Sequence, residues 1–188
     1  MVRQDGEFMS GKFENISMMG RMAYVIMCVE KYLLNKYPNR NWKLLSEILW
    51  KSTSTNWAFW TDLYSAYIPE VVLDYSEYSK KEFGNCYDEK TFQNLHMLYE
   101  GITSGSEDDA DDELNYLLNK PFEMAMVYEG TEIGDGEESF IIIKETERVL
   151  ESNGIILPDV NAVSFSNSSE RNGWGNYFDG SFLSVILK

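Results

Sequence analysis

Apolar spacing outlines the elements of this chain before any chemistry is considered. Over residues 14–36, Met18, Met22, Val25, Ile26, Val29 and Leu33 recur three and four positions apart, which predicts a first helix. Pro38 stops it after Tyr37. Asn41 is placed to cap a second helix, in which Trp42, Leu45 and Leu49 share a face that Leu44 and Ile48 broaden. A polar break from Ser52 to Asn56 precedes a third helix from Trp57 through Tyr67. Its rings, Trp57, Phe59 and Trp60, are expected in the core, because one helix carrying all of them must bury most of them. Pro69 either closes that helix or opens the next at its first turn.

Residues 69–83 read as one further helix. Asp88 caps a stronger one, with Phe92, Leu95, Tyr99 and Ile102 as its apolar stripe. Leu114, Leu117 and Leu118 begin another, and Pro121, which has no N–H, is expected to break or kink it, with a further helix from Phe122 to Tyr128 following. Gly130 to Gly136 is turn-rich. Phe140 to Ile143 fits a buried strand or a helix; Glu137 and Glu138 in a first turn and Asn153-Gly154 at the end favour helix. Beyond Pro158 the pattern dissolves into one or two short strands or irregular turns around an apolar end. There is no internal repeat at a fixed period. These elements predict an all-α fold, a single domain over residues 1–188, with a bundle of about six to eight helices and an irregular C-terminal lobe.

Composition sharpens the picture. Hydrophobic residues make up 44 % of the chain and Phe, Trp and Tyr 14 %, enough for a core and too much for generic disorder. The net charge is −15 and unevenly placed: residues 1–81 hold ten Lys/Arg and nine Asp/Glu, residues 82–188 six and 22. Such a field repels nucleic acid and anionic lipid, so neither is expected as a partner. It attracts cationic partners, raising on-rates by roughly 10- to 1,000-fold, although acidity for solubility alone stays open. Ala23 to Val29, seven residues, is the longest apolar run, against about 20 for a membrane-spanning helix. The start, MVRQDGEFMSGKFEN, lacks the apolar stretch of a secretory leader, and a cytoplasmic location is the expectation.

Candidate chemistry is sparse. Cys28 lies in the apolar run and reads as a buried thiol; with Cys86 it makes no disulfide framework. His96, the single histidine, falls on or beside the apolar stripe of its helix and reads as partly buried. No nucleophile elbow, zinc-protease helix, phosphate loop or dinucleotide fingerprint occurs, so no catalytic residue, metal or cofactor is assigned and the chain is read as a non-enzyme. A hydrolase built on paired carboxylates is the least favoured alternative.

Two stretches stand out instead. In GITSGSEDDADDELNYLL, six of the seven residues from Glu107 to Glu113 are acidic. A calcium loop starting at Asp108 would place Ala110 at its third position and Glu113 at its sixth, where an oxygen ligand and a glycine are required, and it fails. Carboxylates before Leu114 favour a helix N-terminus by roughly 0.3–1 kcal/mol each, which explains two or three of them. The rest suit solubility or a cationic partner. In RNGWGNYFDG, glycines flank Trp174, which is either an anchor for the tail or an interface hot spot.

The helix start YPNRNWKLLSEILW, the Trp-rich STNWAFWTDLY and the ending GWGNYFDGSFLSVIL, in that order, resemble the all-α immunity proteins of bacterial polymorphic-toxin and contact-dependent inhibition systems. The resemblance implies a cytosolic antidote that binds and neutralises a cognate toxin domain, for example a nuclease with a basic cleft. Asp108, Asp109, Asp111, Asp112, Glu132, Asp135 and Trp174 are the candidate contact residues. The alternative is a helical protein–protein interaction or adaptor domain without a toxin partner.

Overall fold

The computed structural model describes residues 11–106, 112–127, 133 and 136–188. They form an all-α bundle whose centre is α1, Met18–Lys36. Ser17 caps it, its Oγ accepting from the Gly20 amide at 3.2 Å, so the helix begins at Met18 rather than at residue 14. Most of α1 is buried, on every side, including the charged Arg21 and Glu30. It packs on α7 (Glu113–Val127) and α8 (Glu137–Ser152), on α2 (Lys43–Lys51) and on turns of the C-terminal lobe. A helix surrounded in this way shows no polar stripe.

The remaining helices are α3 (Trp57–Ser65), α4 (Pro69–Leu73), α5 (Lys80–Phe83) and α6 (Glu89–Tyr99). Asn56 caps α3 through the Ala58 amide, and Asp88 caps α6 through that of Thr91. Pro69 opens α4 at its first turn. The stretch 69–83 is two short helices, not one, with the intervening residues in turns. Phe92, Leu95 and Tyr99 are buried as expected, while Ile102 lies beyond the helix and is half-buried. Trp57 and Trp60 are buried, but Phe59 is 65 % exposed, because the α3 surface it occupies faces away from the core.

α7 corrects a stronger expectation: it runs unbroken through Pro121. A proline leaves the carbonyl four residues back, here Leu117, without its donor and crowds that turn. The Tyr64 hydroxyl donates to the next carbonyl, Leu118, at 2.7 Å. The opened turn thus finds a donor from α3. α8 is a helix throughout; Asn153 ends it, and Gly154, at φ +66°, turns the chain away.

Other aromatic donors serve helix ends. Trp42 Nε1 donates to Tyr37 O, Trp60 Nε1 to Ile48 O and Trp57 Nε1 to Ser52 O. The Tyr87 and Tyr99 hydroxyls reach the carbonyls of Ala66 and Tyr67 just past α3. These are carbonyls that helix C-termini leave unpaired. Arg40 does the same for α6, donating to Met97, Leu98 and Glu100 carbonyls.

The C-terminal lobe holds three 3₁₀ turns, Val160–Val163, Arg171–Gly173 and Gly180–Leu183. Among the described residues there is no strand, only an isolated antiparallel bridge between Ile16 and Asn167. The lobe lies tightly against α1. A Cβ on Gly20 would come 2.6 Å from Ile16 and 3.1 Å from Ser166. Gly175, at φ +79°, leaves space in which a Cβ would collide with the Ser17 hydroxyl. Among the described residues no helix is long and apolar enough to cross a membrane.

Glu30 fastens the end of the lobe. Its buried carboxylate accepts from Ser46 Oγ, from Trp50 Nε1 at 2.8 Å, from Ser184 Oγ at 2.7 Å and from the Val185 amide at 2.8 Å. One side chain therefore joins α1, α2 and the tail. Glu30→Gln keeps the volume but turns an NH₂ group towards donors. We expect a loss of about 1–3 kcal/mol and a lower Tm, by about 2–4 °C per kcal/mol for a chain of this size. Thermal melts check it, with carboxypeptidase release of the tail as the local readout; an unchanged melt would mean that the four donors find equal partners without the carboxylate.

Candidate functional site

The acidic stretch is where charge is most concentrated, and the structure describes both of its flanks. Glu107, Asp108, Asp109 and Asp111 lie outside the described residues, as do Glu132 and Asp135. Asp112 is described, and its carboxylate points inward, only 9 % exposed. Oδ1 accepts from the Asn115 amide at 3.0 Å, which makes Asp112 the cap of α7. Oδ2 accepts from the Thr103 hydroxyl, the Ser104 amide at 2.8 Å and hydroxyl at 3.0 Å, and the Gly105 amide at 3.3 Å. One carboxylate thus ties together the residues on either side of the stretch. Burial works to raise its pKa, but the Thr103 hydroxyl, the Asn115 amide and the Ser104 donors outweigh it and hold the group below the usual aspartate value.

Glu113 is also turned to internal partners. It accepts from the Tyr32 hydroxyl at 3.0 Å, and both its oxygens accept from Asn153 Nδ2 at 3.0 Å, joining α7 to α1 and to the end of α8. Beside this base lies a cleft of about 510 Å³ lined by Tyr32, Lys36, Tyr37, Thr103 and Asp112 among others. The described end of the acidic stretch is therefore a joint, and the outward-facing carboxylates of the body sit elsewhere. Glu100, Glu137, Glu138 and Glu151 are exposed. Glu123 and Glu145 each pair with Lys120 at 2.8 Å, and its ammonium also stands 3.9 Å from the Tyr116 ring centre. Burial pulls Lys120 down, but the two carboxylates more than offset it and hold its pKa above the usual lysine value.

Trp174 is half-buried and packs edge-on against Trp57 with ring centres 4.8 Å apart. Its carbonyl accepts from the Met19 amide at 3.0 Å. These contacts fasten the lobe to the bundle. Arg171 and Asn172, just before it, adopt left-handed backbone at φ 46° and 55°, a costly conformation for non-glycine residues. The Arg171 guanidinium lies 4.2 Å from the Tyr177 ring centre.

A cluster that the spacing of apolar residues does not reveal lies further along the lobe. Phe165 packs on Phe178 at 4.9 Å and on Phe182 at 5.7 Å between ring centres. Phe165 is 51 % exposed and Phe182 58 %. The available signal was compositional: residues 161–184 are rich in Ser, Asn, Gly and aromatics and hold only Glu170, Arg171 and Asp179 as charged groups. Rigid aromatics among small polar residues are what protein-binding loops use.

The groups suited to catalysis are placed differently. Cys28 is buried, and burial, reinforced by Glu147, pushes its thiol well up. Burial also raises Cys86. His96 is half-buried, with its ring 5.9 Å from that of Phe92. Among the described residues, no group of three or more His, Cys, Asp or Glu is set to hold a metal ion. No family model, curated protein or solved structure matches the chain.

Asp112→Ala should cost about 1–3 kcal/mol near neutral pH, from the lost cap and the stranded donors of Thr103 to Gly105. Its folded pKa is depressed, so this contribution is complete above the ordinary carboxylate range and is lost as pH falls through the folded value. Urea unfolding of both proteins at about pH 7 and about pH 3 should show the difference shrinking in acid. A constant difference would assign the effect to packing.

Proposed function

We propose that this chain is a binding protein that neutralises a cationic protein domain, in the manner of an antidote to a toxin. The distribution of charge carries the reading. Residues 82–151 hold 19 acidic and four basic residues, while the rest of the chain is near neutral. The described carboxylates of this region differ in role, and Glu123 and Glu145 pair with Lys120. Asp112, Glu113 and Glu147 are turned to internal donors, and Glu100, Glu137, Glu138 and Glu151 face outward.

The physical fit is with a partner whose own surface is built for anions. A nuclease cleft binds phosphates with Lys and Arg, and carboxylates on helices can occupy the same positions. Charge would set the encounter rate, and a few desolvated anchors the lifetime of the complex. The resemblance to immunity proteins points the same way, to a toxin domain as the cationic partner. The other reading, a helical adaptor, shares the acidic surface but implies a partner without toxicity.

The test is capture of the partner by tagged protein from its source cells, across ionic strengths of about 0.01 to 1 M, over which the screening length falls from roughly 30 to 3 Å. A basic domain should co-elute at low salt and be lost as salt rises. That domain should stop growth when expressed alone and be harmless when co-expressed with this chain. A partner that is salt-insensitive or harmless would overturn the antidote reading, and a harmless one would favour the adaptor.

A further inference from the structure

We propose that Asn172 is a site of self-modification, at which the side chain loses its amide to the backbone of Gly173 and leaves an isoaspartate in the turn before Trp174. The chain holds two Asn-Gly pairs, Asn153-Gly154 and Asn172-Gly173, and the fold treats them oppositely. Asn153 ends α8 with its Nδ2 donating to both Glu113 oxygens at 3.0 Å and to the Val149 carbonyl at 2.8 Å. Asn172 is exposed, and its side chain makes no hydrogen bond among the described residues. Glycine is required after it: Gly173 stands at φ +91°, and a Cβ there would come 3.0 Å from Ile133. Asn172 itself is at φ 55° and ψ 43°, a conformation that asparagine tolerates better than most side chains. The turn thus selects the pair of residues that is chemically least durable.

The backbone is one rotation from the reactive geometry. Asn172 and Gly173, closed by the Trp174 amide donating to the Arg171 carbonyl at 3.2 Å, are close to a type I′ turn. Turning over the peptide between them gives a type II′ turn, whose first central residue has φ and ψ of about +60° and −120°, and keeps the closing hydrogen bond. The φ of Asn172 is already there, and Gly173 permits the change of sign in its own. Only the Gly173 amide has to leave the Glu170 carbonyl, which it meets at 3.1 Å. In the turned-over peptide the Gly173 nitrogen reaches Cγ of Asn172 and closes a five-membered imide. Base takes the proton of that nitrogen, the N–Cγ bond forms, and Cγ–Nδ2 breaks as ammonia leaves with a proton from water. Water then opens the ring. Attack at the main-chain carbonyl carbon gives isoaspartate, whose backbone runs through Cβ and Cγ and is one carbon longer; attack at Cγ gives aspartate. Either product adds a carboxylate in the segment of Glu170 and Arg171. The longer backbone displaces Trp174, whose carbonyl accepts from the Met19 amide and whose ring packs on Trp57. Aged copies are therefore marked by charge and loosened where the lobe meets α1.

This proposal does not depend on the antidote reading, since it needs no partner. Incubation of the full chain at neutral to mildly alkaline pH, followed by peptide mapping with mass spectrometry, tests it. The Asn172 peptide should gain the mass of an amide-to-acid change and contain isoaspartate. Its rate should rise with pH, because the attacking nitrogen must shed its proton. In the folded protein Asn153 should lag by at least about tenfold, its amide being held by Glu113 and Val149, and in urea it should catch up. The isoaspartyl form, separated by ion exchange, should exchange its Met19 amide hydrogen faster than the parent. Asn172→Gly, which keeps the left-handed backbone, should remove the fast acidic shift and retain the melting temperature of the parent. Three results would overturn the proposal: Asn153 modified as fast as Asn172 in the folded chain, Asn172 reacting in urea but not when folded, or aspartate formed without isoaspartate. An isoaspartyl form with unchanged Met19 exchange would overturn the loosening of the lobe.

Discussion

Carbonyls at the ends of short helices are the constraint around which this molecule is arranged. A chain of eight described helices, several of them only two or three turns long, leaves many acceptors without intrahelical donors. Much of the fold consists of ways to reach them. Indoles of Trp42, Trp57 and Trp60 and phenols of Tyr87 and Tyr99 do so from the core, each supplying apolar area and one polar atom together. That dual use accounts for an aromatic content of 14 % in a chain of this size. Phenylalanine could fill the same volumes but not the same hydrogen bonds.

Acidic side chains follow a related division. Some are drawn inward, where they meet internal donors and join separate parts of the chain. Glu30 links α1, α2 and the tail, Asp112 joins the two flanks of the acidic stretch, and Glu147 meets the Tyr24 hydroxyl at 2.7 Å. Burial raises the pKa of Glu147 even so, while the more numerous donors around Asp112 lower that of its carboxylate. Arg21 is the cationic counterpart: it is buried and donates to Ile16 and Phe13 carbonyls and to the Ser139 hydroxyl, with the Phe140 ring beneath it. Net charge alone does not separate such joints from the outward-facing acids that give the protein its field.

Helix existence was legible in the sequence because apolar spacing and caps act locally. Asp88, Pro69 and the Asn153-Gly154 pair mark their elements by chemistry within a few residues, whereas Asn41 does not cap α2, where Trp42 takes that place without a side-chain bond. Pro121 misled because the Tyr64 hydroxyl that accompanies its acceptance comes from 54 positions away at the nearest bonded carbonyl. Phe59 misled because hydrophobicity states a preference for burial and not which face of α3 meets the core. The lobe was illegible for a similar reason: its 3₁₀ turns follow Asp caps and left-handed residues rather than any apolar period. In the candidate site, the run of acids was visible, but the inward orientation of Asp112 depends on Thr103, Ser104 and Gly105 closing round it. The aromatic face emerged only when Phe165 was brought beside Phe178 and Phe182.

The enclosure of α1 bears on the order in which the protein can be made. Its cap, Ser17, bonds to Ser166 across 149 positions, and its buried Glu30 waits for Ser184 and Val185, about as far away. A chain emerging from the ribosome presents this apolar helix well before the residues that cover it. Until then its surface must be shielded by other means or risk sticking to its neighbours. Enclosure of α1 thus waits for the lobe to be made, and a polypeptide cut short before the lobe carries an uncovered helix that other proteins or proteases can seize.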